Sequence, residues 1–294
     1  MNLKAILLSF LVLSFLFAFP QRNCGTMQHH EDQLIKDPSL LLRMQDQERE
    51  IKNWIQNNLN KHQPSIITIP VVVHIVYNNQ NENISDNQIF SQLDILNEDF
   101  RRLNADTVNT PTGFLSVASD CEIEFCLAQK DPNGNSTTGI TRTQTSETSF
   151  STNDDVKYTN SGGKDAWNTL EYLNIWVCDL SGGLLGYAQF PGGNVNEDGV
   201  VCDYAYFGNI GTATPPYDKG RTATHEVGHW LNLRHIWGDS NCGNDFCNDT
   251  PEHSGSNYGC PSYPSTSTCS ANGLYGDMFM NDMDYTDDAC MNIF

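Results

Sequence analysis

Apolar and polar positions change pattern twice along the chain. Residues 1–20 are nearly all apolar after Lys4, residues 21–62 are polar and charged with short apolar pairs, and a β-branched run begins at Ile66. The first part indicates a signal peptide, because about 15 apolar residues behind one basic residue are too few for a membrane span. An uncleaved anchor is the alternative. The second change indicates that 21–62 is a weakly structured or helical pro-segment and that one globular domain occupies 63–294.

The pattern within the globular part predicts an α+β fold. One helix is expected to start at Ser85, where Ser-x-x-Gln fits a capping box and apolar residues then recur in steps of four and three. A second helix is expected over Arg221–Leu233. The apolar segment at 185–190 ends at Pro191 and should form an edge strand, because proline cannot donate to a ladder. The predicted strands are 66–77, 121–129, 172–179, 185–190 and 199–207.

The second predicted helix carries the residues that say most about chemistry. His225 and His229 are four residues apart, so both imidazoles project from one helical face, one turn apart. A tetrahedral zinc held by them needs one more protein ligand and a water. His235 lies six residues further on, so the helix must end and the chain must turn back. Asn232 stands at this turn, where asparagine is the commonest substitute for glycine at positive φ.

Glu226 is the candidate general base of this site. It directly follows the first histidine in the sequence, so it is poorly placed to coordinate the same zinc ion. It is well placed to contact a water molecule at the fourth coordination position of that ion. The alternative is a helix with scattered, hydrogen-bonded histidines. With eight histidines in 294 residues, the His-Glu-x-x-His pattern should arise by chance in roughly a few chains per ten thousand. The spacing therefore predicts a zinc site at His225, His229 and His235.

Ten cysteines and a formal net charge of −20 limit the cellular compartments and the classes of binding partner that are compatible with the chain. Disulfides persist in oxidising compartments, so we expect a secreted protein without a membrane span after signal removal. Five cysteines follow the histidine motif in a segment rich in small polar residues, which buries little and should depend on cross-links. Nucleic acid is disfavoured as a partner, because phosphate contacts need a basic face. The sequence leaves the oligomeric state open.

Two motifs give the chain a family resemblance. Residues 225–239 (HEVGHWLNLRHIWGD) and 283–292 (MDYTDDACMN) resemble the metzincin zinc endopeptidases, and within them the pappalysin group with its cytophagalysin- and ulilysin-like branch. The resemblance implies a mixed twisted sheet with helices in an upper lobe and an irregular, disulfide-bearing lower lobe. It also implies a secreted zinc endopeptidase that acts on proteins or peptides through a zinc-activated water.

Further site residues follow from the resemblance. Met283 matches the methionine of the Met-turn, an apolar floor under the imidazoles, and Tyr285 matches a tyrosine that helps to stabilise the oxyanion. Without the family, Met283 would be core filling and Tyr285 a buried, hydrogen-bonded tyrosine. Asp239 has two possible roles. It either orients a zinc-binding histidine through a hydrogen bond or forms a calcium loop with Asp245 and Asp249. The second role follows from the resemblance, since family members commonly carry Ca²⁺ in this region.

Cys24 lies in the predicted pro-segment, within Arg22-Asn-Cys-Gly25, where related zymogens use a cysteine switch. Its thiolate would take the fourth zinc position and displace the water. A disulfide or a lipid attachment are the alternatives, although the residues before Cys24 do not suit a lipoprotein signal. Loss of Cys24 with the pro-segment would leave nine cysteines, an odd number that also allows a disulfide role for Cys24.

Three features depart from the family pattern. Asn232 replaces the usual glycine, Asp282 replaces an aromatic or apolar residue before the Met-turn methionine, and the sequence stops at Phe294 where relatives continue into a closing helix. The last feature allows a fragment or a pseudo-enzyme. A non-catalytic zinc-bearing secreted adhesion or binding module is therefore the alternative function, and a zinc amidase is a third. The presence of Glu226 favours the peptidase, because zinc binding alone does not need that carboxylate.

The sequence leaves the cleavage preference open. Some relatives that cut beside arginine or lysine have an aspartate directly after the cysteine that matches Cys290, and this chain has Met291 there. The acidic composition is therefore no ground for a basic preference, and a hydrophobic or mixed one is equally compatible. A substrate is expected to lie extended along the segment at 185–190 and to pair with it through main-chain hydrogen bonds.

Overall fold

The computed structural model describes residues 21–58, 65–269 and 272–294. The predicted signal peptide at 1–20 and the predicted domain boundary at 62/63 lie outside these ranges. None of the helices within the ranges is long and apolar enough to cross a membrane.

A mixed sheet forms the upper part of the molecule. Its strands, within the described residues, are β1 (Ile67–Tyr77), β2 (Ile123–Leu127), β3 (Ile140–Gln144), β4 (Leu173–Cys178), β5 (Gly186–Ala188) and β6 (Val200–Asp203). Their order is β2-β1-β4-β6-β5, and β3 also pairs with β1. Only β5 runs antiparallel to its neighbour, and it lies at the edge. The five predicted strands are therefore present, and the edge position of the segment at 185–190 is confirmed.

Strand β3 is not predicted by the sequence pattern. Its residues Ile-Thr-Arg-Thr-Gln include one apolar side chain, and none of them is fully buried. It pairs with β1 from Val73 to Tyr77, whereas β2 pairs with the first half of β1. Main-chain hydrogen bonds to a long central strand hold β3 in place, so it needs no apolar alternation of its own.

Two helices pack on the sheet and place the histidine motif. In α3 (Asp86–Phe100), the Ser85 hydroxyl accepts from the Gln88 main-chain N–H at 3.2 Å, which is the first half of the predicted capping box, whereas the Gln88 side chain donates to Phe207 instead. The apolar face of α3 is buried in one apolar cluster with residues of β1, β4 and α4. The motif helix α4 (Arg221–Trp230) is also buried, but it ends earlier than predicted because the chain turns at Asn232. Sheet, α3 and α4 thus form one apolar core under the motif.

The residues before the sheet form two helices with different degrees of burial. In α1 (Thr26–Lys36), four residues are buried against the sheet edge, Thr26, His29, His30 and Gln33. In α2 (Leu40–Asn58), only Leu40 and Met44 are buried. The segment is therefore helical, one of the two forms expected from its composition, but its first part is packed into the protein more tightly than its polarity suggests.

The lower part of the molecule is irregular and cross-linked, as predicted. From Leu231 onward the described residues form turns and one three-residue 3-10 helix. Disulfides join Cys242 to Cys269 and Cys260 to Cys290, whereas Cys247 is not in a disulfide. A small apolar cluster supports the same region, formed by Phe114, Ile236, Met278, Phe279, Met280 and Ile293. The lower lobe thus combines few buried apolar residues with two cross-links.

Candidate active site

Three buried imidazoles meet beside α4. His225 and His229 lie one turn apart on the helix, and His235 follows after the turn. The Nε2 atom of His229 lies 3.1 Å from Nε2 of His225 and 3.2 Å from Nε2 of His235. Bond lengths of 2.0–2.1 Å to a tetrahedral zinc imply nitrogen–nitrogen separations of about 3.3 Å. The spacing of the three nitrogens therefore fits a single zinc ion.

The outer nitrogens of the three rings are held by acceptors. Nδ1 of His225 donates to the Asp282 carbonyl at 2.7 Å, and Nδ1 of His229 donates to the Leu233 carbonyl at 2.8 Å. Nδ1 of His235 donates to the Asp239 carboxylate at 2.5 Å. Because each Nδ1 carries the proton, each Nε2 presents a lone pair to the common point. Burial lowers the pKa of both helical histidines well below the ordinary value, which keeps them neutral.

The chain turns back at Asn232 to bring the third histidine in. Asn232 has a φ of +79°, the left-handed conformation expected from the sequence. The N–H groups of Asn232 and Leu233 donate to the carbonyls of His229 and Gly228, both at 2.9 Å, and so close the end of α4. The Asn232 side chain also donates to Glu48 of α2 at 2.8 Å, a contact that glycine would not make.

Glu226 lies fully buried beside the three rings. Its Oε2 accepts from the Thr26 hydroxyl at 2.9 Å and from the Cys24 thiol at 3.5 Å. Burial raises the pKa of Glu226 to about 7, although both hydrogen bonds and the charge of Arg22 act in the opposite direction. A carboxyl group whose pKa lies near neutrality is suited to accept and return a proton at neutral pH.

Cys24 reaches the same point from the other side. Its Sγ and the facing nitrogens of His225, His229 and His235 all lie within 4.8 Å of one another. Burial and the Glu226 carboxylate raise the pKa of the Cys24 thiol well above its ordinary value. A thiolate at this position therefore requires a cation among the three imidazoles, since a coordinating metal deprotonates a thiol outright.

Met283 and Tyr285 both lie beside the histidine motif. Met283 is buried under α4, and a Cβ atom at Gly228 would lie 2.4 Å from its sulfur, so only glycine allows this approach. The Tyr285 ring is centred 5.8 Å from the His225 ring and 4.9 Å from the His235 ring. Burial raises the pKa of Tyr285 well above its ordinary value, so its hydroxyl stays a hydrogen-bond donor.

Asp282, which departs from the apolar family pattern, is buried beside an arginine. Its carboxylate lies 3.8 Å from Arg221, which also pairs with Asp99 at 3.0 Å and Asp106 at 3.2 Å. Its main-chain N–H donates to the Ile293 carbonyl at 2.9 Å. The polar side chain therefore lies beside a buried guanidinium without a hydrogen bond to it, and the main-chain carbonyl of Asp282 orients His225.

The three candidate calcium ligands do not come together. Asp239 is bonded to His235, as the first of its two expected roles requires. Asp245 accepts from the Thr250 hydroxyl at 2.6 Å and from the Cys247 N–H at 3.0 Å. Among the described residues, the groups of carboxylate, imidazole and thiol ligands that converge include neither Asp245 nor Asp249. Calcium binding here stays a prediction without geometric support.

The chain around Cys24 occupies the edge of the sheet. The N–H of Leu185 donates to the Asn23 carbonyl at 2.9 Å, and the N–H of Gly25 donates to the Gly186 carbonyl at 2.8 Å, which makes a short parallel pairing with β5. The Thr26 hydroxyl accepts from the Ala188 N–H at 2.8 Å. This is the edge on which we expected an extended substrate to lie.

Arg22 fills a pocket next to the three histidines. Its guanidinium donates to the carboxylate of Asp288 and, at 3.3 Å, to the Thr286 carbonyl, and it lies 4.8 Å over the Tyr217 ring. Both charged side chains are almost completely buried. The sequence did not identify Arg22, Thr26 or Asp288 as site residues. The only available signal was the position of Arg22 and Thr26 within two residues of Cys24.

Comparisons with known proteins agree with this geometry. The family model described as pregnancy-associated plasma protein-A, peptidase family M43, matches residues 152–294. An extracellular metalloprotease of Arthroderma benhamiae is 31% identical over 236 residues, which cover 78% of this chain and 73% of the relative. One from Verticillium alfalfae is 29% identical over 288 residues, covering 94% and 86%.

Two solved structures from Tannerella forsythia are similar over different lengths. A promirolysin mutant is 55% identical with a TM-score of 0.84 and covers 93% of this chain and 90% of its own. Mature mirolysin in complex with a cleaved peptide is 59% identical with a TM-score of 0.76 and covers 79% and 88%. The likeness to the pro-form thus extends over more of this chain than the likeness to the mature form.

Proposed function

The chain belongs to the pappalysin family of zinc metalloendopeptidases, and we propose that His225, His229 and His235 hold its catalytic zinc. The observation that carries this assignment is that three buried Nε2 atoms converge. Nε2 of His229 lies 3.1 Å from that of His225 and 3.2 Å from that of His235, and each Nδ1 donates to an acceptor. When bound, the zinc supplies the Lewis acidity that lowers the pKa of a water and polarises a carbonyl.

In the proposed reaction Glu226 is the general base. It takes a proton from water as the water oxygen bonds to the scissile carbonyl carbon, and it then protonates the amine as the carbon–nitrogen bond breaks. In the precursor, burial raises the pKa of Glu226 to about 7, and departure of the segment that carries Thr26 frees the carboxyl group for both transfers. The Tyr285 hydroxyl donates to the developing oxyanion. Met283 supports the rings from below and does not coordinate.

We propose further that residues 21–62 are a latency segment and that the structure represents the precursor. Cys24 takes the fourth position of the metal site, and Thr26 engages Glu226 and the β5 edge. A substrate cannot reach the base, the metal site or the edge strand while these contacts exist. The wider coverage by the pro-form of mirolysin than by its mature form supports this division.

The Arg22 pocket favours a preference for basic side chains in substrates. Asp288 supplies a buried carboxylate, and Tyr217 supplies an aromatic face for a guanidinium. After the pro-segment leaves, the same pocket can accept arginine or lysine from a substrate. Asp288, rather than the residue after Cys290, provides the acidic group that the family pattern places elsewhere.

Export rests on the proposed signal peptide at 1–20 and on the extracellular location of the relatives. The two disulfides of the lower lobe fit an oxidising compartment.

A zinc assay combined with a peptide library tests the proposed function. The activated enzyme is expected to contain one zinc per chain and to cleave peptides until a chelator is added. Glu226→Ala should keep the zinc and lose hydrolysis, whereas His229→Ala should lose both. Zinc without any hydrolysis in the wild-type enzyme would instead support the alternative, a zinc-bearing binding module. Hydrolysis retained by Glu226→Ala would refute the assigned base.

A further inference from the structure

A tryptophan not used in the proposed mechanism lies between the third histidine and the tyrosine. The Trp237 ring stacks on His235, with centroids 4.4 Å apart and an interplanar angle of 7°. The Trp237 ring also meets the Tyr285 ring edge-to-face, at 4.8 Å and 78°. Tyr285 in turn meets His235 edge-to-face at 4.9 Å and 84°. The three rings therefore form a closed cluster in which each ring contacts the other two.

His235 depends on such a contact more than the other two histidines do. His225 and His229 are carried by α4, whose backbone fixes where their side chains start. His235 follows the helix in a turn, and residues Asn232, Gly238 and Asp239 on either side of it have positive φ. The hydrogen bond from its Nδ1 to Asp239 holds one edge of the ring. The stacked indole holds one face of the ring and so resists tilting of its plane.

Trp237 is itself held by the lower lobe. Its half-buried side chain packs against the apolar cluster that includes Phe114 and Met278. Trp237 thus connects the cross-linked lower lobe to His235, so the packing of the lobe restricts the position of the His235 ring. The same ring limits the movement of Tyr285, which no helix or strand carries.

We propose that Trp237 is a positioning residue, which sets the plane of the His235 imidazole and the place of the Tyr285 ring relative to it. This inference rests on the proposed zinc ligation by His235. It assigns to the indole a role that ordinary core filling does not require, namely control of how long zinc stays bound. Supporting groups behind a metal ligand typically change metal affinity or activity by about 10–100-fold.

Two substitutions at Trp237 and one remote control test the proposal. Trp237→Phe keeps a flat aromatic ring, and Trp237→Leu keeps apolar volume but cannot stack. Trp167→Leu removes a half-buried tryptophan that contacts His74 and Tyr172, on the sheet and away from the motif. All three are made in the full chain, and each melting temperature is measured to record general destabilisation.

The first readout is the rate of zinc release to an excess of chelator. We expect Trp237→Leu to release zinc about tenfold faster than wild type, and Trp237→Phe and Trp167→Leu to stay within about twofold. After activation, Trp237→Leu should lower kcat about tenfold with little change in KM, because Tyr285 acts on the transition state. Trp237→Phe should restore most of both properties.

The outcomes separate this inference from the proposed function. Wild-type protein without bound zinc would mean that the proposed function has failed. Wild-type protein with zinc, together with wild-type zinc release and kcat in Trp237→Leu, would overturn the role of Trp237 and leave the zinc site intact. A lower melting temperature in Trp237→Leu with no change in zinc release would reduce Trp237 to core filling and would also overturn the proposal.

Discussion

The two helices before the sheet share a polar composition and an amphipathic pattern but differ in how the protein holds them. In the segment from Arg22 through α1, polar side chains are buried and paired with the domain, such as His29 with Asp154 at 2.8 Å and Gln33 with Gln189 at 2.6 Å. In α2 most side chains face solvent, and Trp54 is 68% exposed. Polar composition alone therefore does not distinguish a docked segment from a loosely held one. We expect the segment from Arg22 through α1, and not α2, to keep the precursor inactive.

The largest expected effect comes from the sulfur at the metal site. Cys24→Ala in the full chain should open the fourth zinc position to water and give constitutive activity above that of the wild-type precursor, although below that of the activated enzyme because Thr26 still engages Glu226 and β5. Cleavage of a peptide by the unprocessed chain measures it. Cys247→Ala, which removes a thiol outside the disulfides, is the control and should stay latent. A Cys24→Ala precursor as silent as wild type would show that the thiol does not block the site.

Two ion pairs of the pro-segment offer the next comparison. Arg22→Ala leaves the buried Asp288 without its guanidinium, which should weaken docking of the segment by about 3 kcal/mol, or roughly a hundredfold. Arg49→Ala breaks an exposed pair with Asp46 on α2 and should change nothing measurable. The measurement is the residual peptide cleavage by each unprocessed full-length variant, called its leak activity below. Equal leak activity in the two variants would show that the segment around Arg22 is not held more tightly than α2.

Acid pH should weaken the docking of the segment from Arg22 through α1, because His30 becomes protonated. Burial beside Phe190, with Arg234 and His29 nearby and Asp239 acting in the opposite direction, lowers the pKa of His30 to about 4 from 6.5. Since the docked form holds His30 neutral, docking is at full strength above pH 6.5 and weakens as pH falls toward 4. At pH 5 the loss is roughly thirtyfold.

The His30→Gln variant isolates this contribution. Leak activity of the full chain, measured from pH 7.5 to pH 5 relative to the activated enzyme, should rise less steeply in His30→Gln than in wild type. Because both proteins share every other titratable group, including Cys24, the difference in slope belongs to His30. Identical slopes would show that His30 does not link docking to pH.

The smallest effect is expected at the exposed face of α2. Trp54→Ser should alter the free energy of unfolding by less than about 0.5 kcal/mol, as for most exposed positions. Leu40→Ala, at a buried position that packs against Phe190, should cost about 2–5 kcal/mol. Denaturant unfolding of both variants checks the contrast. A large loss in Trp54→Ser would show that the exposed face of α2 contributes to stability after all.

The sequence predicts those features that local spacing encodes. His225 and His229 follow helical spacing, the turn at Asn232 follows from its tolerance of positive φ, and Ser85 follows the capping pattern. Most of the five predicted strands are apolar runs, so they stand out as well. Strand β3 does not, because pairing with β1 stabilises it without an apolar run.

Contacts between distant residues are the part that the sequence does not reveal. Arg22 and Asp288 are 266 residues apart, and Thr26 and Glu226 are 200 apart. Asp282 looked out of place until the fold brought Arg221 beside it. The cysteine pairing in the lower lobe also depends on the path of irregular loops. In each case the partner is chosen by the fold and has no signature in the neighbouring residues.

Zinc X-ray absorption spectroscopy of the full-length precursor tests the central claim most directly. We expect three nitrogen ligands at about 2.0–2.1 Å and one sulfur ligand at about 2.3 Å, with the sulfur replaced by oxygen in Cys24→Ala. A wild-type spectrum without sulfur, or one with fewer than three histidine nitrogens, would contradict the assignment of His225, His229, His235 and Cys24 to one zinc site.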